Sequence, residues 1–485
     1  MKRFFRLTFI TLLAKLFTIF ILALLSRELK PGELAYIALI PSVAYIFLSL
    51  SSFGVNTLLE RDAPKLLATN PLEAMTLMKS GVVININTLL FTIISFWFFS
   101  KEIGNFLTDN SDVLSDFRLV ILPLCAYLLI HIVAFPFQLQ NKIDLFGFIK
   151  IYSDISAKSA ALGLYYYLPC AESLLLGLAI GQAPFILLGL YLHRTWLFHS
   201  GRLPIISLLK KSSVFYIESI LNALRNWGDS ILVSSLIGAE SLAVFYIAKR
   251  ISDQISVFFQ PFMTAFVPFM SSKHGMGKEH FASSFKLLWT LIPAIFILLS
   301  SAFTCITPIL VNLIAGEQYA NSVNLAIILT WNVSALAIYS LSARVLLIIG
   351  SSIERFRITV FQIFITFVLI FYVFPVSAQG IALSWLAAVW ISIFSVIVRA
   401  KQLKFDWPSS TSSILMTLIS VPPAWHIALK IDYKEDLALY VISCFGNIAF
   451  SLMALFTYFL FKEKWVFEQF LIIIKSRALV AQKRK

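Results

Sequence analysis

The sequence predicts an all-α integral membrane protein of about 14 transmembrane helices, arranged as two six-helix lobes with two further helices at the C-terminal end. Three observations carry that expectation. The chain is 59% hydrophobic and 13% charged over 485 residues, where soluble chains run at about 45–50% apolar and about 25% charged. Apolar runs of span length recur from one end to the other. The basic residues also alternate in side: with the N-terminus in the cytoplasm, 27 fall on cytoplasmic segments and 6 on the opposite side, the bias that orients membrane chains.

A crossing of roughly 30 Å of hydrocarbon needs about 20 mostly apolar residues. Segments that meet it lie near 7–25, 35–59, 80–100, 117–138, 146–168, 172–193, 213–237, 242–270, 285–312, 322–349, 357–375, 380–398, 412–430 and 437–461. The first, in "MKRFFRLTFITLLAKLFTIFILALLSREL", has a basic start but lacks a small-x-small cleavage site, and Lys15 interrupts it. It reads as an uncleaved span. Pro41, Pro136, Pro184, Pro261, Pro268 and Pro293 fall inside or near the ends of spans and predict kinks. Trp196, Tyr319 and Trp407 sit near span ends, where interfacial aromatics belong. The loop "SKEIGNFLTDNSDVLSD" is acidic and faces outward.

The basic joint "HRTWLFHSGRLPIISLLKK" separates two sets of six spans, giving lobes at residues 1–200 and 201–405, then two additional helices and a basic cytoplasmic tail at 406–485. An offset of 210 residues brings Lys15 onto Arg225 and "YIA" at 36–38 onto "YIA" at 246–248. An even number of spans per half gives both halves one orientation, a parallel repeat of the transporter kind with the substrate path at the repeat interface.

Several function classes are excluded. Lys and Arg lie in short runs between apolar segments, the pattern of topology determinants rather than a nucleic-acid footprint. Cys125, Cys170, Cys305 and Cys444 are scattered without CxxC spacing and read as buried free thiols. There is no P-loop, nucleophile elbow, glycine-rich phosphate cradle or metal-ligand cluster. No loop between spans is longer than about twenty residues, so there is no soluble catalytic domain; the chain reads as a transporter, not an enzyme, without a cofactor. Its energy would come from the substrate gradient or a coupling ion, H+ or Na+.

The polar residues concentrate in "IESILNALRNWGDSILV", where Glu218, Asn222, Arg225 and Asp229 are spaced four, three and four apart and share one helical face. Charge at mid-membrane costs from about 2.5 to more than 10 kcal/mol, so this face looks at protein or water. The next span carries Lys249, Arg250 and Asp253 in "YIAKRISDQISVFFQP". Residues equally far from a short turn lie at equal depth at about 1.5 Å per residue, which pairs Asp229 with Lys249 or Arg250, and Arg225 with Asp253.

Two readings stay open: structural bridges that neutralise each other, or groups facing a wet cavity. The deep ionisable groups are six cations (Lys15, Lys158, Arg225, Lys249, Arg250, Arg344) and four acids (Asp154, Glu218, Asp229, Asp253). The positive excess is what an anionic head group requires. Arg344 can snorkel to the cytoplasmic side, and Asp154 and Lys158, at i and i+4, can satisfy each other. His131 and His426 have no carboxylate at helical spacing and read as packing residues rather than a proton relay.

Four stretches resemble the multidrug/oligosaccharidyl-lipid/polysaccharide flippase superfamily, in its polysaccharide-transporter branch of Wzx-type flippases. They are "SRELKPGELAYIA" at 26–38, "LSSFGVNTLLERDAPKLLA" at 50–68, "GAESLAVFYIAKRISDQISVFFQPFMTAFVPFMS" at 238–271 and "AGEQYANSVNLAIIL" at 315–329. The third, with its Y-x-x-A-x-R core and closing P-x-x-S, is the strongest. The resemblance implies two six-helix lobes around a central cavity that opens alternately to either side. The cargo it implies is an undecaprenyl-pyrophosphate-linked oligosaccharide, such as an O-antigen unit used in lipopolysaccharide biosynthesis, flipped across the bacterial inner membrane. Polysaccharide polymerase machinery would be a further partner, and membrane lipid would surround the prenyl tail.

Cavity cations of relatives engage the pyrophosphate or anionic sugars, which carries over to Arg250; Lys15, Arg225 and Lys249 join it as candidates from depth and repeat alone. Asp229, Asp253, Glu218 and Asp154 are candidate counter-ions or proton-coupling groups. The acid-paired hairpin of spans seven and eight departs from a purely cationic cavity. The alternatives are an ion-coupled multidrug antiporter of the same superfamily, which needs a dominant intramembrane acid, and a polymerase or ligase, which needs a large outer loop.

Overall fold

The structure, a computed structural model, describes residues 16–51, 70–108, 117–140, 142–197, 205–257, 278–349 and 352–402, with isolated positions between 53 and 67, at 259 and 270, and between 440 and 449. Among these residues the secondary structure is helical, with no strand. The helices are α1 (residues 16–28), α2 (Pro31–Ser51), α3 (Pro71–Thr108), α4 (Ile121–Leu139), α5 (Ile143–Tyr167), α6 (Ala171–Leu197), α7 (Ile205–Ile237), α8 (Ala239–Ser252), α9 (Lys278–Ala315), α10 (Ser322–Ile349), α11 (Ser352–Tyr372) and α12 (Ala378–Gln402). They follow the first twelve predicted spans in order. Of the last two, 412–430 lies outside the described residues, and of 437–461 only a few positions are described.

Eight of the described helices are long and apolar enough to cross a membrane. α5, α7 and α8 are not among them, nor is α1, of which residues 16–28 are described. The first two carry Asp154, Lys158, Glu218, Arg225 and Asp229, and α8 is only 14 residues long. The helices that depart from a purely apolar span are thus those that carry most of the candidate site.

Local chemistry sets the helix ends. α3 opens on Asn70, whose Oδ1 accepts the Glu73 N–H at 3.4 Å while its Nδ2 donates to the Glu73 carboxylate at 3.2 Å, with Pro71 at the first helical position. α3 then bends at Phe99 (φ −113°, ψ 18°) without a proline and continues to Thr108, so the first half of the expected acidic outer loop is helix. α7 and α8 are joined by Gly238 alone, at φ +108°, whose N–H closes α7 on the carbonyls of Val233 (3.2 Å) and Ser234 (3.0 Å). Glycine reaches that left-handed conformation without a Cβ clash. Within the predicted eighth span, α8 tightens into a 3-10 turn at Asp253–Ile255.

The chain divides into two compact units. The first comprises Met1–Arg250, Leu313–Ser322 and Thr359–Trp385; the second comprises Ile251–Asn312, Val323–Ile358 and Leu386–Lys485. In the first, the end of α1 is tied to the end of α9: the Arg27 guanidinium donates to the Leu313 carbonyl at 2.8 Å, Ser26 Oγ to the Ile314 carbonyl at 3.1 Å, and Gln318 Nε2, just past α9, donates to the Ser26 carbonyl at 2.5 Å. Ser26 and Arg27 belong to the first of the stretches that resemble the flippase superfamily, and Gln318 to the fourth. Gly54 (φ +72°), from the second, lets the end of α2 reach the α7 backbone, since a Cβ there would lie 2.6 Å from the Phe215 carbonyl carbon.

α5 and α6 pack most closely. Gly177 and Gly181 form a G-x-x-x-G pair on α6, and Cβ atoms there would lie 2.6 Å from the Ala161 nitrogen and 2.6 Å from the Ala157 Cα. Small residues let helices touch along their backbones where lipid supplies no hydrophobic drive.

In the second unit, α9, α10 and α12 enclose a core around Phe285, Trp289, Trp331, Tyr339 and Val396. A Ser300–Ser334 hydrogen bond links α9 to α10. Tyr440 donates to the Cys305 carbonyl, and Asn447 Nδ2 to Ser301 Oγ at 3.1 Å, so the described part of the fourteenth segment packs on α9. Across the ends of α11 and α12, Glu354 takes Arg399 in bidentate form (2.6 and 2.7 Å) and Arg357 at 3.0 Å.

Replacing Gly181 by Val is expected to lower stability by about 1–3 kcal/mol, the usual cost of overpacking. The change would appear as a lower melting temperature and a smaller monodisperse fraction on size-exclusion chromatography, whereas Gly163→Ala, where an added Cβ meets open space, serves as the neutral comparison.

Candidate functional site

The polar face of α7 turns inward as its spacing predicts. Glu218 and Asp229 are buried and Asn222 and Arg225 half-buried, while Ile217 beside them is exposed. Because Gly238 alone joins the two helices, Lys249 of α8 arrives at the depth of Asp229. Lys249 Nζ donates to Asp229 Oδ1 at 2.6 Å and Oδ2 at 2.8 Å. It also reaches the Asn226 carbonyl at 3.3 Å and Ser230 Oγ at 3.4 Å. The expected partner of Asp229 is therefore present, and it is Lys249. Asp229 is further held by the Ser230 N–H at 2.7 Å. Asp253 belongs to the second unit, where it opens the 3-10 turn, and Arg344 is half-buried on α10 in that unit. Lys15 and His426 lie outside the described residues.

One position further along α8, Arg250 points about 100° away from Lys249. Its guanidinium stacks 4.9 Å from the Tyr246 ring centre. Arg250, Tyr246 and Lys158 line a small cleft in the first unit. Thr18, Ile21, Leu22 and Leu25 of α1, Ile37 of α2, Ala161 of α5 and Leu178 of α6 supply the rest. The lining is apolar apart from two cations and two hydroxyls. Lys158 Nζ meets Asp154 at 2.5 Å, the predicted i, i+4 pair. Arg250 and Lys158 thus come together; Lys249 and Arg225 do not line this cleft.

Behind the hairpin lies an aromatic and basic cluster that sequence spacing does not reveal. Tyr45 of α2 stacks on Trp227 of α7 (4.7 Å, 13°), and Lys249 lies 5.5 Å from the Trp227 ring. The Tyr45 hydroxyl is 3.4 Å from His131 Nε2, and Lys150 Nζ is 3.3 Å from the same nitrogen. His131 accordingly sits beside a cation and a phenol rather than among apolar side chains alone. Tyr45 and Trp227 are far apart in sequence, and no periodicity joins them. Among the described residues no group of three or more His, Cys, Asp or Glu could hold a metal ion.

Residues 1–274 match the model of a family described as "Polysaccharide biosynthesis protein". Among solved structures, the chain is similar to the lipid II flippase MurJ in an inward closed conformation, at 13% identity and a TM-score of 0.66, covering 94% of this chain and 99% of that one. It is also similar to an inward-facing multidrug resistance MATE family transporter of the MOP superfamily (12% identity, TM-score 0.61, 81% and 95% covered) and to an outward-facing one (12%, 0.59, 83% and 96%). At these identities the likeness is one of fold. No curated protein matches the chain.

Asp229→Asn should destabilise the protein by roughly 3–5 kcal/mol, because it strands a buried ammonium. The double change Asp229→Asn/Lys249→Met should recover most of that loss. Thermal unfolding of the purified variants checks both, and equal losses in the single and double variants would contradict the pairing.

Proposed function

Since the chain belongs to the polysaccharide biosynthesis protein family of the MOP flippase superfamily, we propose that it flips a lipid-linked oligosaccharide across a membrane. The observation that carries this reading is the cleft in which two cations, Arg250 and Lys158, stand in an otherwise apolar wall. A compact, multiply charged head on a hydrocarbon anchor fits such a surface. Guanidinium and ammonium groups in a site of low dielectric bind phosphate oxygens through charge-assisted hydrogen bonds, and the leucines and isoleucines beside them accept the first carbons of a prenyl chain.

The cargo is an undecaprenyl-pyrophosphate-linked repeat unit of O-antigen type, moved from the cytoplasmic to the periplasmic leaflet of the bacterial inner membrane. The likeness to the lipid II flippase supports a lipid-linked cargo. In this mechanism the lobes at 1–200 and 201–405 alternate in access, and the head group rests at mid-membrane while the tail stays in lipid. Arg250 and Lys158 hold the diphosphate, with Lys15 and Arg225 meeting it along its path. The Lys249–Asp229 pair braces the hairpin that aims Arg250, while Glu218 and Asp253 balance the remaining cations. Chemistry is limited to binding and release, without bond cleavage.

A second reading, a multidrug antiporter, has the MATE likeness in its favour. It is weakened by the same cleft, because no carboxylate lines it to receive a cationic compound.

Translocation of a fluorescent undecaprenyl-pyrophosphoryl oligosaccharide in proteoliposomes tests the proposal. Wild type should flip it, and Arg250→Ala, at matched folded amount, should lose about ten- to a hundred-fold, the worth of a hydrogen bond to a charged group. Wild-type rates no higher than in protein-free liposomes would overturn the reading.

A further inference from the structure

Two ion pairs of the first unit differ in a way that separates their roles. In the Lys249–Asp229 pair both partners are enclosed, with side chains 19% and 9% exposed, and the ammonium is further occupied by a carbonyl and a hydroxyl. In the Lys158–Asp154 pair the lysine is enclosed (13%) and its carboxylate is half exposed (51%). Lys158 lines the cleft beside Arg250, and Asp154, one turn toward the start of α5, does not.

An enclosed ammonium without a counter-ion is costly, so an empty cleft needs a carboxylate on Lys158. A carboxylate that is half exposed and hydrogen-bonded to Lys158 can leave at little expense where that exposure is to water, since ion pairs exposed to water are worth about 0–1 kcal/mol. From this geometry we infer that Asp154 is an exchangeable placeholder: it occupies Lys158 while the cleft is empty and yields to a phosphate oxygen of the ligand, which then bridges Lys158 and Arg250. The exchange keeps Lys158 neutralised in both states. It also weakens binding by the cost of displacing Asp154, which favours release, and a carrier that never lets go does not turn over. Asp154 is on this account a positioning residue that never touches the substrate. The inference rests on the flippase reading for its ligand class, an anionic prenyl diphosphate.

The test uses purified full-length protein in nanodiscs, with geranylgeranyl diphosphate as the probe and geranylgeraniol as its uncharged counterpart. Asp154→Asn should bind the diphosphate about two- to five-fold more tightly than wild type, the range available to a half-exposed pair, with alcohol binding unchanged. Asp154→Glu should restore wild-type affinity. Lys158→Gln should weaken diphosphate binding by roughly ten-fold, and adding Asp154→Asn to it should change nothing further, because the coupled partner is gone. Lys158→Met replaces Lys158→Gln in this cycle if the latter does not accumulate. If wild type binds diphosphate no better than alcohol, the flippase reading fails and takes the inference with it. If wild type prefers diphosphate but Asp154→Asn matches wild type, or tightens binding equally without Lys158, the placeholder alone is overturned.

Discussion

A charge inside hydrocarbon persists only beside its opposite, and the geometry of the first unit follows from meeting that condition at Lys249. The ammonium finds Asp229 because Gly238 turns the chain within a single residue. Once the two helices are locked at that depth, the next side chain, Arg250, has only one direction left to face. A longer or looser turn would let α8 slide, and a slide of one residue would exchange Lys249 for Arg250 at Asp229. The brace thereby decides which of the two cations of α8 reaches the cleft: Lys249 is taken by Asp229, and Arg250 lines the cleft wall.

In the cleft wall Arg250 is joined by a second cation from a different helix. Lys158 rises from α5 and Arg250 from α8, and α1 closes the wall between them with Ile21, Leu22 and Leu25. Such a site is wide in what it tolerates and narrow in what it demands. Its apolar walls make few directional bonds, whereas the two fixed charges require a head that offers anionic oxygens to both.

Much of this was legible in the residues, and the parts that were not share a cause. The order of the first twelve helices followed from apolar runs, and the Asp154–Lys158 pair and the placing of Asp229 opposite Lys249 or Arg250 followed from spacing, since both depend on local geometry: the rise of a helix and the length of a turn. The Tyr45–Trp227 stack, the Lys150–His131 contact and the meeting of Lys158 with Arg250 join helices whose azimuths no single-helix pattern defines. The bidentate Glu354–Arg399 pair shows the boundary well. Its i, i+3 companion Arg357 was readable, but Arg399 stands 45 residues away. The G-x-x-x-G pair at Gly177 and Gly181 was present as a signal and is explained only once Ala157 and Ala161 are seen opposite.

That glycine contact reaches further than packing. Lys158 lies between Ala157 and Ala161, the two residues of α5 pressed against α6, so the contact that brings the helices together also fixes the rotation of α5 about its axis. A bulkier side chain on α6 would turn the helix as well as push it, and Lys158 would swing out of line with Arg250. A genetic screen for inactive variants would consequently return glycines of α6 alongside the cations, although neither glycine lines the cleft. A map of sensitive positions drawn from such a screen would outline the mount as well as the site.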